Sequence, residues 1–224
     1  MVRRPPRFPF VLTGVGAGAV YAALLARALL IDSAGWEDNL REWLFEHTER
    51  LQFAMNDLLA LGGKGGPLLL AILVLALLAT RHRREGFFLL AAAGGAGVLG
   101  EAAKIVDGFV SAGARDFPSG HAAGSAGAVA AVILLLQNRP RVLLLVLSGL
   151  AFVALYGFVL VATDWHSPSE VVGGWCLALA WASSVWLAIG SARFRIRRLP
   201  LPATDQHRRP RWDSRQERRL EPRA

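Results

Sequence analysis

Cysteine is almost absent from this chain of 224 residues, Cys176 being the single one. It lies in an apolar run, so no intramolecular disulfide can form, and cysteine usage says nothing of redox compartment. Long hydrophilic stretches are equally scarce: between the two termini, residues 32–64 form the one extended interval of that kind. A nucleotide-binding loop is lacking too. Gly62-Gly63-Lys64-Gly65-Gly66 is glycine-rich and holds a lysine. No strand precedes it, however, and no Lys-Ser/Thr follows the glycines as a phosphate loop requires, so it reads as a hinge.

What the chain has in quantity is apolar residues, 54% of the total, gathered into runs. Uninterrupted apolar stretches of about 18 or more residues are the signature of helices that cross a bilayer. The expectation is an all-α integral membrane protein with about six transmembrane helices, near 10–31, 67–80, 86–106, 119–136, 142–163 and 169–191. Arg3, Arg4 and Arg7 precede the first run, as in a signal peptide. That run exceeds the usual apolar core of about 7–15 residues, which predicts an uncleaved first span with Arg27 snorkelling near its far end. The third run is rich in glycine and alanine between Ala91 and Gly100, which lets helices approach closely.

Within residues 32–64, Trp36, Leu40, Trp43, Leu44, Leu51, Met55, Leu58 and Leu59 recur at helical spacing, with Glu37, Asp38, Glu42, Glu46 and Glu49 between them. This predicts amphipathic helical structure at the membrane interface between the first and second spans; a solvated linker helix fits the same pattern.

The net charge of +8 is concentrated in arginines at the N-terminus, at 81–84, at 139–141 and in the tail. With six spans these all fall on one side, and the positive-inside rule makes that side cytoplasmic. The domain reading follows: a basic cytoplasmic N-terminus (1–9), a membrane domain (10–192) and a basic, disordered cytoplasmic tail (193–224). The tail suits anionic headgroups, and no nucleic-acid partner is expected. The protein is then a multi-pass cell-membrane protein with both termini inside.

Two polar knots remain, Asp116-Phe117-Pro118-Ser119-Gly120-His121 and Asp164-Trp165-His166-Ser167-Pro168-Ser169-Glu170. The fourth and fifth helices, joined by the turn at 138–141, return the chain to the surface it left. Lys104, Arg115, Ser119, Gly120, His121, His166 and Glu170 therefore gather at one outer rim. Such a set suits phosphoryl transfer. Lys104 and Arg115 neutralise phosphate charge, and Ser119-Gly120 opens a helix whose free N–H groups attract anions. Two histidines can divide the work of nucleophile and general acid, with Glu170 the nearest carboxylate to orient His166. Ser167-Pro168-Ser169-Glu170 also fits a helix capping box. Glu101 stands three residues before Lys104, at the spacing of a helical ion pair.

These residues resemble the type 2 phosphatidic acid phosphatase superfamily, the lipid phosphate phosphatases related to vanadium haloperoxidases. Pro118-Ser119-Gly120-His121 matches that family's Pro-Ser-Gly-His, and His166 with Glu170 matches its His-x-x-x-Asp with Glu for Asp. The resemblance implies a membrane phosphatase acting on a lipid or polyprenyl phosphate at the extracytoplasmic face, without metal or other cofactor. His166 would form a phosphohistidine, His121 would protonate the leaving group, and Glu170 would orient His166. Lys104, Ser119 and Gly120 would bind phosphate. Two family arginines are missing: Ser111-Ala112 stands for an Arg-Pro, and Val159-Leu160 for a Ser-Arg. Arg115 is a substitute for one, and Arg41 and Arg50 are the candidates from 32–64. The alternative is a lipid-binding or scaffold protein that kept the fold and lost catalysis.

Overall fold

The computed structural model describes residues 8–30, 35–60, 66–80, 82–110 and 117–189. These belong to a unit spanning Met1–Phe194, and the second unit, Arg195–Ala224, lies outside the described residues together with the whole expected basic tail. Among the described residues all regular structure is helical: α1 (Phe8–Leu30), α2 (Gly35–His47), a 3-10 turn (Glu49–Leu51), α3 (Gln52–Ala60), α4 (Gly66–Ala79), α5 (Arg83–Leu89), a π turn (Leu90–Gly94), α6 (Gly95–Val110), α7 (Gly120–Leu136), α8 (Val142–Ala162) and α9 (Pro168–Ile189).

Among the described residues four stretches are long and apolar enough to cross a membrane: Pro9–Arg27, Arg83–Ile105, Val142–Ala162 and Pro168–Ile189. The expected second and fourth spans are shorter helices, Leu69–Ala79 and Gly120–Leu136. With 17 residues at ~1.5 Å per residue, α7 measures about 25 Å, less than the ~30 Å of bilayer hydrocarbon. α7 begins at Gly120, just past Pro118 and an extended Ser119, and α4 begins at Gly66, the last of the clustered glycines.

α9 packs on both α1 and α7, and α7 also packs against α6 and α8. Small residues make these contacts close: Ala96, Ala126 and Ala178 form one buried cluster where α6, α7 and α9 meet. A second cluster joins Phe88, Ala92, Ala131, Val185 and Trp186. The third lies beneath the polar knots and joins Met55 and Leu59 of α3 to Ala122, Tyr156, Leu160 and Val171. Outward, α8 exposes Leu143, Leu144, Leu147, Leu150 and Leu155, a row suited to lipid.

The π turn has an identifiable cause. The indole Nε1–H of Trp181 donates to the carbonyl of Ala91 at 2.8 Å, and a side chain inserted into the helical ladder displaces a backbone bond there.

Within the 32–64 interval, residues 35–60 fold as α2, the 3-10 turn and α3, with Glu37, Leu40, Arg41 and Leu44 on the inward side of α2 and Trp36, Trp43 and Phe45 exposed. An amphipathic helix was expected; two charged residues on its inner face were not.

Candidate active site

His166 stands in the short connection between α8 and α9, and local backbone chemistry holds it at both ends. α8 closes with a pair of reversed bonds: Asp164 N–H donates to the Val161 carbonyl and Trp165 N–H to the Leu160 carbonyl, both at 3.1 Å. This is the Schellman arrangement, which needs a left-handed residue just past the cap. Asp164 supplies it, with φ of 60°; aspartate is among the few non-glycine residues that visit this region routinely. His166 N–H then donates to the same Leu160 carbonyl, also at 3.1 Å.

α9 opens at once with a reciprocal cap. Ser167 N–H donates to Glu170 Oε2 at 3.1 Å, and Glu170 N–H to Ser167 Oγ at 3.4 Å, which is the capping box written in Ser167-Pro168-Ser169-Glu170. The same Oε2 lies 2.9 Å from His166 Nδ1. An ionised carboxylate only accepts, so Nδ1 carries a proton, and in the neutral ring that leaves the lone pair on Nε2. The two readings of Glu170, helix cap and histidine partner, are one arrangement. Both residues are buried, His166 to 4% exposure and Glu170 to 5%.

The first knot is joined to the second by backbone. Ser119 N–H donates to the Glu170 carbonyl at 3.0 Å, and Ser119 is the N-cap of α7, its Oγ accepting from Ala122 N–H at 3.2 Å. The approach requires glycine on α9: a Cβ at Gly174 would stand 2.5 Å from the Ser119 carbonyl oxygen, and one at Gly173 would run into the Phe117 ring. Tyr21 of α1 stacks on the same ring, with centroids 5.8 Å apart. Seated this way, α7 presents His121 to His166, with ring centroids 6.0 Å apart and planes at 51°. Trp165 meets His121 edge-on at 5.7 Å. His121 Nδ1 is buried without a hydrogen-bond partner among the described residues.

Lys104 and Glu101 come from α6, paired at 3.3 Å, and the charges of both act on His121. The Glu101 carboxylate rests against Gly120, where any Cβ would overlap it. An anionic group thus already lies against the first residue of α7, where a helix N-terminus favours negative charge.

The structure therefore brings Lys104, Ser119, Gly120, His121, His166 and Glu170 together. The Ser119 hydroxyl faces its own helix turn and is fully buried. Arg115 lies outside the described residues. Leu160, where the family motif has arginine, is fully buried in the core beneath the site. Arg41 of α2 instead reaches the second knot, its Nε 3.0 Å from Asp164 Oδ1. Sequence analysis gave Glu37 no role. Its signal was a carboxylate sharing the Leu40–Leu44 face of an amphipathic helix, where an unpaired charge would be costly.

A family model described as the PAP2 superfamily matches residues 80–194, just over half of the 224. The match takes in every residue of the cluster around the two histidines and leaves α1 to α4 outside. No curated protein and no solved structure matches the chain.

Proposed function

The chain belongs to the PAP2 superfamily, and from that premise we propose that it is a membrane phosphatase acting on a lipid phosphate or isoprenoid mono- or diphosphate through a phosphohistidine at His166. The family generally hydrolyses phosphate esters, and the site suits that chemistry. The observation that carries the reading is the bond from His166 Nδ1–H to the buried Glu170 carboxylate, with a second imidazole beside it.

In the first step His166 Nε2 attacks phosphorus. The N–P bond forms, the bond from phosphorus to the lipid oxygen breaks, and His121 gives that oxygen a proton. Glu170 stabilises the cationic ring that results. In the second step water attacks the phosphohistidine. The O–P bond forms, the N–P bond breaks, and His121 takes the water's proton, leaving phosphate and the starting enzyme. Lys104 and Arg41 supply positive charge for the transferring oxygens, and the start of α7 supplies backbone N–H donors. Arg115 belongs to the same proposal on its sequence position.

An amphiphilic substrate is favoured because the site lies at the ends of apolar helices, α8 and α9, where a headgroup would meet it. The arginine distribution favours the extracytoplasmic face, with both termini in the cytoplasm, and the exposed Trp36, Trp43 and Phe45 suit α2 to the interface.

The test is phosphate release in detergent with EDTA, using phosphatidic acid, phosphatidylglycerol phosphate and polyprenyl mono- and diphosphates, for wild type and His166→Ala. Release that continues in EDTA and vanishes in the variant is the expected result. Silence across the panel would favour a lipid-binding protein that has lost catalysis.

A further inference from the structure

The Glu37 side chain is 2% exposed although it is a carboxylate. It has two partners. Arg27 of α1 donates from Nη1 to Oε1 at 2.9 Å, and the Ser169 hydroxyl donates to Oε2 at 3.1 Å. From there the chain of bonds continues into the site. Ser169 has spent its one proton on Glu37, so the Ser167 hydroxyl is the donor in the 3.2 Å Ser167–Ser169 contact. Ser167 Oγ accepts from Glu170 N–H, Ser167 N–H donates to Glu170 Oε2, and Oε2 holds His166 Nδ1.

A half-buried ion pair such as Arg27–Glu37 is weak evidence for stability, since apolar residues of similar volume would join α1 to α2 at a smaller desolvation cost. What an apolar pair cannot do is accept from Ser169. Polar networks in a low-dielectric site hold one geometry when their members are satisfied, and no buried side-chain atom of these six residues lacks a partner. Four residues past Glu37 on the same helix, Arg41 pairs with Asp164, on the other side of His166. Helix α2 thus holds Asp164 in the connection and Ser169 in the first turn of α9, one on each side of His166.

We propose that Glu37 is a positioning residue for catalysis: together with Arg27 it fixes Ser169 and Ser167, and through them the Glu170 carboxylate that orients His166. The inference rests on the phosphatase reading for its catalytic consequence and goes beyond it, because α1 and α2 lie outside the stretch that matches the family. A merely structural Glu37 would matter for stability and leave His166 unchanged in the folded protein.

The experiment compares full-length Glu37→Gln, Ser169→Ala and Ser169→Thr with wild type in one detergent, reading two quantities. The first is kcat and KM for phosphatidic acid. The second, independent of turnover, is the rate at which diethyl pyrocarbonate modifies His166 and His121, followed residue by residue by mass spectrometry. In Glu37→Gln and Ser169→Ala, kcat falls about tenfold while KM moves less than about twofold, as loss of orientation without loss of binding requires. His166 modification speeds up and His121 modification does not. Ser169→Thr keeps the hydroxyl and keeps both wild-type values. Should Glu37→Gln fail to fold, the milder Ser169→Ala decides. An unchanged His166 modification rate in the folded variants overturns the proposal, whatever turnover does, and so does unchanged kcat in an active enzyme. If wild type releases no phosphate from any lipid phosphate, the phosphatase reading falls and the modification rates alone decide the role of Glu37.

Discussion

The backbone N–H of Ser119 donates to the carbonyl of Glu170 at 3.0 Å. This bond joins the N-cap residue of α7 to the acidic member of the capping box of α9, and each of the two helix starts has one of the site histidines beside it. Spacing within either motif does not set the distance between His121 and His166. The close contact of the two helix starts does.

That contact depends on Gly174. A methyl group there meets backbone, the Ser119 carbonyl, which cannot rotate aside. Gly174→Ala is expected to destabilise the protein by about 1–3 kcal/mol, the usual cost of overpacking. It should also lower turnover in whatever fraction stays folded, because α7 is pushed off α9. Thermal unfolding in detergent together with kcat on the folded fraction checks both.

Glu170 has two jobs that a substitution can separate. Glu170→Gln keeps a side-chain oxygen for the Ser167 N–H and so keeps much of the cap, typically worth about 1 kcal/mol. It removes the negative charge that stabilises His166 as a cation. The expected outcome is a thermal midpoint near wild type with kcat lowered about a hundredfold or more, since orienting and acid–base groups contribute on that scale. Unfolding and steady-state rates on the same preparations separate the two effects.

Arg41 should act on binding. Its Nε is held 3.0 Å from Asp164 Oδ1, and a phosphate entering beside His166 would compete for that guanidinium. Loss of one charge-assisted bond costs about 1.5–3 kcal/mol. Arg41→Ala should therefore raise KM about tenfold or more, with a smaller change in kcat. Arg50, exposed in the 3-10 turn, should show no such effect when replaced by alanine.

Much of the site could be read from sequence because its pieces are local. Helix caps are short-range chemistry, so Ser119 and the Ser167–Glu170 box announced where α7 and α9 begin, and those starts set the two histidines. The family motif added the pairing. What could not be read was long-range. Ser169 and Glu37 stand 132 positions apart, and no periodicity in α2 says which helix its inner charges will face. Leu160 shows the same limit from the other side: as sequence it is a missing arginine, whereas in the fold it is a fully buried core residue whose carbonyl caps the His166 connection. Of the six expected spans, four are met by described helices long and apolar enough to cross a bilayer, while those at 67–80 and 119–136 are met by shorter apolar helices.

The central claim is a covalent phosphohistidine on His166, and trapping it tests that claim most directly. Enzyme mixed with a lipid phosphate carrying radioactive phosphorus is quenched in alkali, where phosphohistidine survives, and the labelled peptide is identified by mass spectrometry. Label on the peptide containing His166, lost in acid and absent from His166→Ala, is the predicted result. Steady phosphate release with no label on His166, or label that persists in His166→Ala, would contradict it.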